Sequence, residues 1–191
     1  MDTRSQIILG FDMDGVIIDH SVLKIDLLEK LGHQISLADT PSDILKRIIP
    51  EDVQSILDEM LYHNRETALE APIMAGVEDA LIEIKRRGLP YVLISRRKKP
   101  EVAIELLSAR GFWPVYFDDK NTFFVDDAEA KHALAQKLNV THYLDDQPSV
   151  LETLSLVSNR FLLDPLNVYA DTSTYRRINS WEEFMNNVIS T

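Results

Sequence analysis

Short apolar runs recur along the chain, and each of them ends in polar, mostly acidic, residues. The first, Ile7–Phe11, contains no polar side chain, which is typical of a strand buried on both faces of a parallel sheet. Similar runs occupy residues 91–94, 123–125, 142–144 and 161–163. The pattern predicts five strands whose carboxyl ends carry Ser or Asp side chains.

Helical patterns lie between these runs. One apolar stripe precedes Gly88, which suits a helix end, and another follows Pro100 and precedes Gly111. The stripes consist of Val77, Ala80, Leu81 and Ile84, and of Val102, Ala103, Leu106 and Leu107. Strands that alternate with helices predict an α/β fold, with a Rossmann-like parallel sheet and helices on both faces. In such folds ligands bind beyond the carboxyl ends of the strands.

Residues 17–75 break this alternation with three helical stretches, the last from about residue 52 to 69. This segment is too long for a simple crossover. We therefore predict a catalytic core at 1–16 and 76–191 and a small helical cap at 17–75, inserted after the first strand. A cap over the strand ends would shape the substrate pocket and exclude water. An insertion that only stabilises the fold is the alternative.

Composition narrows the possible partners. The 191 residues suit one ordinary domain, or one domain with a small insertion. With 31 acidic and 20 basic side chains, the net charge of −11 opposes binding to a nucleic-acid polymer or an anionic membrane. The absence of cysteine excludes disulfides and thiolate zinc sites. Residues 1–6 lack the apolar core of a signal peptide, and no run is long enough to span a membrane. We expect a cytoplasmic protein.

Asp12 and Asp14 directly follow the first predicted strand. In an extended segment residues two apart point the same way, about 6.5 to 7 Å from each other, so that one metal ion can lie between them. A carboxylate can attack phosphorus when a cation screens the two negative groups, and a second acid can protonate the leaving oxygen. An acidic strand end without a function is the other interpretation.

A calcium-binding EF-hand loop also begins with two aspartates at this spacing. It would require acidic, Gly and Glu residues where this chain has Val16, Ile17 and Leu23. The EF-hand interpretation is therefore excluded.

The segment Phe11-Asp12-Met13-Asp14-Gly15-Val16 resembles the first motif of the haloacid-dehalogenase (HAD) superfamily of hydrolases. The resemblance implies that Asp12 is the nucleophile that becomes phosphorylated. Asp14 would be the acid/base, and its backbone carbonyl would bind Mg²⁺. Dehalogenase members lack the second aspartate, so Asp14 indicates the phosphatase branch. The implied activity is Mg²⁺-dependent hydrolysis of a small phosphorylated metabolite.

The second motif of that family is a Ser or Thr at the end of a strand, where it holds a phosphate oxygen. Ser95 fits this motif. The basic run at residues 96–99 follows at once and would raise the local phosphate concentration. A solvated loop before a helix is the commoner explanation of such a run.

The third and fourth motifs are a helix lysine and an acidic pair at the end of the next strand. Lys131 precedes Asp145 and Asp146 with a helical stripe between them, which favours this pair as the metal site. The resemblance makes Asp146 the preferred ligand, with Asp145 assisting directly or through water. The predicted metal set is thus Asp12, Asp14, Asp145 and Asp146, and the catalytic set is Asp12, Asp14, Ser95 and Lys131.

A second acidic pair, Asp126-Asp127, competes for the fourth motif. Asp126 and Glu129 have the spacing of a capping box that opens a helix, which gives this pair a structural role. Lys120 has no following helix of its own and ranks below Lys131 as the third motif.

The C-terminal part, at residues 161–167 and 176–184, is similar to the end of 5'(3')-deoxyribonucleotidase-like members of the superfamily. This similarity favours nucleoside monophosphates without excluding sugar phosphates. A structural explanation is also available, because Ser180 and Glu183 form a capping box and the helix after them has an apolar face. That face consists of Trp181, Phe184, Met185 and Val188.

Two other activities stay open at this point. A phosphosugar mutase would use the same phosphoenzyme, and a non-catalytic regulator would bind phosphorylated ligands in a retired site. The cap residues His20 and Arg65 are candidates for facing the substrate, although a surface position is the commoner outcome for each.

Overall fold

The computed structural model describes residues 6–189, so the N-terminal residues 1–5, predicted to carry no signal peptide, lie outside it. Within the described range, no helix is both long and apolar enough to cross a membrane.

A parallel sheet of six strands forms the centre of the molecule, in the order β3-β2-β1-β4-β5-β6. The strands are β1 Leu9–Phe11, β2 Tyr91–Ser95, β3 Thr122–Phe124, β4 His142–Asp145, β5 Asn159–Leu163 and β6 Arg176–Ile178. The predicted α/β fold and its five strands are confirmed. The edge strand β6 was not predicted, because Arg176-Arg177-Ile178 contains no apolar run.

Helices connect and flank these strands. They are α1 Ser21–Lys30, α2 Ser42–Ile48, α3 Glu51–Asp58, α4 Arg65–Ala68, α5 Val77–Arg86, α6 Pro100–Ala109, α7 Ala128–Lys137, α8 Pro148–Thr153 and α9 Trp181–Ile189. A 3₁₀ turn at Leu37–Asp39 precedes α2, and a π-helical turn at Glu59–His63 follows α3. The helices predicted around residues 77–84 and 102–107 correspond to α5 and α6.

Residues 17–75, here called the insertion, leave and rejoin the core side by side. The Met74 N–H donates to the Ile17 carbonyl at 2.8 Å, and the Asp19 N–H donates to the Pro72 carbonyl at 2.9 Å. Ile18 also forms an antiparallel bridge with Ile73. The insertion contains α1 to α4, as its helical pattern predicts, and its division from the core as a separate cap stays a prediction.

The last helix packs against this junction. Trp181 is fully buried, its ring centroid lies 5.0 Å from that of Phe11, and its indole N–H donates to the Val16 carbonyl at 2.9 Å. The predicted apolar face of α9 is buried as a whole. Ser180 accepts a hydrogen bond from the Glu183 N–H, which is one half of the predicted capping box, while the Glu183 carboxylate accepts from the Asn179 N–H at 2.8 Å. Helix α9 therefore holds the end of β1 and the start of the insertion together.

Candidate active site

The chain turns sharply after β1 and places its first carboxylates at the edge of the sheet. The Asp12 N–H still donates to Leu144 of β4 at 3.0 Å, and Gly15 then adopts a φ of 80°. An added Cβ at Gly15 would lie 2.2 Å from Oδ2 of Asp146. Only glycine permits both this backbone conformation and this close approach. Gly15 therefore lets the first and fourth predicted motifs meet.

Helix α7 carries Lys131 to the same place. Asp127 caps the helix by accepting a hydrogen bond from the Ala130 N–H at 2.7 Å, so the prediction that Asp126 is the capping residue was wrong by one position. Lys131 is 0% exposed, and its Nζ donates to Asp12 Oδ1 at 2.6 Å and to Asp145 Oδ2 at 3.0 Å. Burial lowers the pKa of Lys131, but these two carboxylates outweigh burial and raise it above its usual value.

Three carboxylates converge beside this lysine. Asp12, Asp145 and Asp146 each offer an oxygen within 4.8 Å of the others. Burial raises the pKa of Asp145 against the pull of Lys131, and it raises that of Asp146 well above the usual value with help from Asp145. Lys131 donates to this cluster directly, and the buried Lys24 acts on Asp146 without a direct bond. These two cations do not balance three carboxylates, and buried charges are costly unless they are compensated. The cluster therefore has the charge and the oxygen donors that suit a divalent cation.

Within the acidic pair, the two residues differ in their free oxygens. Asp145 accepts from Lys131 through Oδ2 and from the Gln147 N–H through Oδ1 at 3.0 Å. Oδ1 of Asp146 is buried and has no hydrogen-bond partner among the described residues. A buried carboxylate oxygen without a hydrogen-bond partner is available to bind a metal ion. This contrast favours Asp146 as the direct ligand.

The Asp14 carboxylate is not part of that cluster and has partners of its own. Arg97 donates two hydrogen bonds to this carboxylate, from Nε to Oδ2 at 2.8 Å and from Nη2 to Oδ1. His20 Nε2 lies 2.7 Å from Oδ1. Burial raises the pKa of Asp14, but Arg97 and His20 together outweigh burial and hold it well below its usual value. Burial also lowers the pKa of His20. A neutral His20 must donate its Nε2–H, because an ionised carboxylate only accepts.

The remaining candidates occupy varied positions. Ser95 ends β2 as predicted and is buried, and its Oγ has no hydrogen-bond partner among the described residues. Lys120 is exposed and lies in the turn before β3. Arg65 is exposed as predicted and pairs with Glu105 at 2.7 Å.

Two expectations about surface residues were wrong. His20 is only 3% exposed, because it lies beneath Tyr62 with the two rings edge to face at 5.5 Å. Arg97, expected in a solvated loop, is 4% exposed; it stacks on the Tyr62 ring at 4.6 Å and donates to the Tyr62 carbonyl at 3.2 Å. Its neighbours Arg96 and Lys98 are exposed. Sequence reasoning named His20 as a candidate and placed Arg97 in a basic run, but it missed Tyr62 and the contacts that join these three residues.

A cavity of about 290 Å³ opens above these groups, with Asp12 and Asp14 at its floor. The insertion supplies part of its wall through α2, α3 and the π-helical turn. This volume is at the lower end of the range for small-molecule sites. The candidate nucleophile therefore faces a space of metabolite size.

Solved structures share this arrangement of sheet and helices. A HAD family hydrolase from Deinococcus radiodurans, determined with bound phosphate and sodium, is 12% identical and aligns with a TM-score of 0.66 over 97% of this chain and 96% of its own. A HAD-type protein from Bacillus subtilis, determined with bound magnesium, is 14% identical with a TM-score of 0.61 over 96% of this chain and 98% of its own. This chain has the HAD fold.

A protein relative and a search of family models complete the comparison. A protein from Oceanobacillus iheyensis that carries the name "Putative nucleotidase" is 23% identical over 186 residues, which are 93% of this chain and 97% of the relative. No family model matches the sequence. The HAD fold is therefore established by structural similarity, and the sequence comparison adds a distant relative of similar length.

Within the HAD fold, the four motif positions lie at neighbouring strand ends. Asp12 follows β1, Ser95 ends β2, and Asp145 and Asp146 lie at the end of β4, which pairs with β1. Lys131 enters from the helix that precedes β4. The central position of β1 in the sheet order explains why residues far apart in sequence meet around Asp12.

Proposed function

We propose that this protein hydrolyses a small-molecule phosphate monoester with the help of Mg²⁺, through a phosphorylated Asp12. The observation that carries the proposal is the convergence of Asp12, Asp145 and Asp146 around Lys131, with Asp12 also lining a cavity of about 290 Å³. A strand-end carboxylate held by a buried lysine has the position and the cationic partner that suit nucleophilic attack.

The acidic cluster supports the choice of metal. Asp12, Asp146 and, directly or through water, Asp145 would hold the ion, and the backbone carbonyl of Asp14 would be a further ligand. These donors are all oxygen atoms, which suit Mg²⁺. When bound, Mg²⁺ would screen the negative charge between the Asp12 carboxylate and the incoming phosphate.

The chain's own side chains then divide the remaining work. An Asp12 oxygen attacks phosphorus, and the bond from phosphorus to the leaving oxygen breaks. Lys131 holds the attacking carboxylate and stabilises the charge that develops on the phosphoryl oxygens. Ser95, whose Oγ is without a partner, would donate a hydrogen bond to one of those oxygens. Water finally attacks the phosphoaspartate and releases phosphate.

Asp14 is the proposed proton carrier. It would give a proton to the leaving oxygen and then take one from the attacking water. In the observed arrangement Arg97 and His20 stabilise its ionised form. The ionised form can act as the base. Proton donation would require that Asp14 first becomes protonated, for which its hydrogen bonds from Arg97 have to weaken.

The test is phosphate release from sugar phosphates, nucleoside monophosphates and an aryl phosphate, with Mg²⁺ and with a chelator. We expect Mg²⁺-dependent release that falls at least about a thousandfold in Asp12→Asn, because the nucleophile is lost. Asp119→Asn, at an exposed turn, is the matched control and should keep wild-type activity. Absence of release from every compound, or equal rates in Asp12→Asn and the wild type, contradicts the proposal.

A further inference from the structure

The wall of the 290 Å³ cavity shows what kind of leaving group it can receive. Around Asp12 the lining consists of charged and amide side chains together with one serine, one histidine and one tyrosine. Within the described part of the chain, no Ala, Val, Leu, Ile, Met or Phe side chain lines this cavity. Pockets for flat heterocycles are usually lined by apolar and aromatic side chains. This wall lacks that character.

The tyrosine ring of this wall is already engaged. Arg97 stacks on the Tyr62 ring at 4.6 Å, and the Tyr62 and His20 rings lie edge to face at 5.5 Å. A nucleobase that stacked on the face covered by Arg97 would have to displace the guanidinium that holds Asp14. Stacking is the main source of affinity for a base that is not read by hydrogen bonds.

A neighbouring cavity is more apolar but too small to receive a base. It includes Met74, Leu163, Leu166 and Tyr169, and its volume is about 50 Å³, room for little more than water. Tyr62, Asp14 and Ser42 line both cavities. The larger, polar cavity is therefore the one with room for the leaving group.

The polar wall offers both donors and acceptors. Gln54 donates to Asp58 at 2.7 Å, and Lys46 and Lys98 line the same space without a carboxylate partner within 4.0 Å among residues 6–189. Hydroxyl groups can donate to Asp58 and accept from these lysines, whereas an apolar ring face leaves such groups desolvated and unpaired.

We infer that the substrate is a small hydroxylated phosphate ester, a phosphosugar or polyol phosphate, in preference to a nucleoside monophosphate. The inference rests on the proposed phosphatase function for the reaction itself. For the leaving group it rests on the cavity wall alone, and it differs from the substrate class that the name of the Oceanobacillus relative suggests.

Ribose 5-phosphate and AMP form the sharpest test, because AMP carries the same phosphate and ribose with adenine added. With Mg²⁺ and the wild-type protein, we expect kcat/KM for ribose 5-phosphate to exceed that for AMP at least about tenfold, a difference of about 1.4 kcal/mol. Glucose 6-phosphate against dTMP repeats the comparison with a second pair. Equal values, or higher values for the nucleotides, would overturn the inference.

A binding measurement separates this inference from the proposed reaction. Titration calorimetry on Asp12→Asn, or on the wild type if it shows no turnover, should give a Kd for ribose 5-phosphate at least about tenfold below that for AMP. Tighter binding of AMP, or no binding of either compound, would overturn the inference. A wild type that binds the sugar phosphate selectively but releases no phosphate would overturn the phosphatase function and leave the leaving-group assignment intact.

A wall variant locates the effect in this cavity. Gln54→Leu removes the amide that donates to Asp58 and should lower kcat/KM for ribose 5-phosphate about tenfold, with a smaller change for AMP. Gln136→Leu, the same substitution at an exposed position of α7, should change neither value. If Gln54→Leu also leaves both substrates unchanged, the leaving group does not lie against this wall.

Discussion

Two buried cations, Lys131 and Arg97, form ion pairs with carboxylates at the strand ends, and the surroundings of the two cations differ. Lys131 lies between Asp12 and Asp145, so all of its ionic partners belong to the sheet. Arg97 pairs with Asp14 but also contacts the carbonyl and ring of Tyr62, a residue of the insertion. The ion pairs of Lys131 therefore lie within the core. Arg97 links the site to the insertion, which joins the core through two adjacent connections.

The two arrangements suit the two roles proposed for the carboxylates. The proposed nucleophile has to be held in place, and the fully buried Lys131 provides a hydrogen bond that does so. A proton carrier has to change its charge within each turnover, and it is held by a group whose other contacts lie on the insertion. Burial of an ion pair therefore does not by itself define the role of the pair. The structural elements that supply the partners have to be considered as well.

The strongest test of the fixed cation is Lys131→Met. Without the ammonium group, the clustered carboxylates lose the cation that donates hydrogen bonds to Asp12 and Asp145, and we expect the free energy of unfolding to fall by about 3 to 5 kcal/mol in chelator. Mg²⁺ should recover part of this loss, because it compensates the same charges. Denaturant unfolding with and without Mg²⁺ measures both effects. Lys137→Met, exposed on the same helix, is the control, and equal stability of the two variants would refute a fixed charge at Lys131.

Gly15→Ala tests whether the carboxylate cluster of the core needs the close approach of Gly15 to Asp146. The new Cβ would collide with Asp146, and the positive φ adds about 1 to 2 kcal/mol of strain. We expect lower stability and at least about tenfold weaker Mg²⁺ binding, measured by calorimetry, because Asp146 must shift.

Gly32→Ala is the matched control for this variant. Gly32 has a φ of 83°, close to that of Gly15, but an added Cβ there would meet no atom within 4 Å. It should show the strain alone and keep wild-type Mg²⁺ affinity. Equal losses of Mg²⁺ affinity in both variants would show that contact with Asp146 is not what Gly15 provides.

Arg97→Gln tests the cation that reaches the insertion. We expect a loss of about 1 to 3 kcal/mol in the free energy of unfolding and about a tenfold lower kcat, since Asp14 loses its main anchor. The pKa of Asp14 should rise, because burial is then opposed by His20 alone. Activity that depends on ionised Asp14 should therefore begin to fall at a higher pH than in the wild type. A pH profile of kcat with an unchanged acid limb would contradict this assignment.

The smallest effect is expected from Arg65→Gln. Arg65 also joins the insertion to the core, through Glu105 of α6, but both side chains are exposed. Solvent screens such a pair, so we expect no measurable change in the denaturation midpoint or in kcat. A loss comparable to that of Arg97→Gln would mean that any bridge between insertion and core has the same weight, whatever its burial.

The sequence predicts the fold well because strands in this sheet are buried on both faces. Runs such as Ile7–Phe11 have no polar residue to obscure them, and glycines follow two of the helices between them, α5 and α6. Edge strand β6 was not predicted because two of its three residues are arginines that are not buried, so it has no apolar run. Its pairing with β5 is visible only once β5 is in place.

Parts of the site were out of reach for a different reason. Four basic residues in succession, at positions 96–99, carry no periodicity that distinguishes Arg97 from its neighbours, and its partner Asp14 is 83 residues away. His20 is close to Asp14 in sequence, but a single histidine gives no sign of burial. The spacing of Lys131 before Asp145 was informative, because one helix and one strand connect them directly. Local patterns therefore find residues on regular elements and miss those positioned by loops.

Trp181 also bears on the order in which the chain folds during synthesis. Its indole N–H donates to the carbonyl of Val16, where the insertion departs, and its Cβ lies 3.3 Å from where a side chain at Gly76 would begin, just past the insertion's return. A ribosome delivers residue 181 after both of these positions have emerged. We therefore expect the two connections of the insertion to gain these contacts only once α9 has been synthesised.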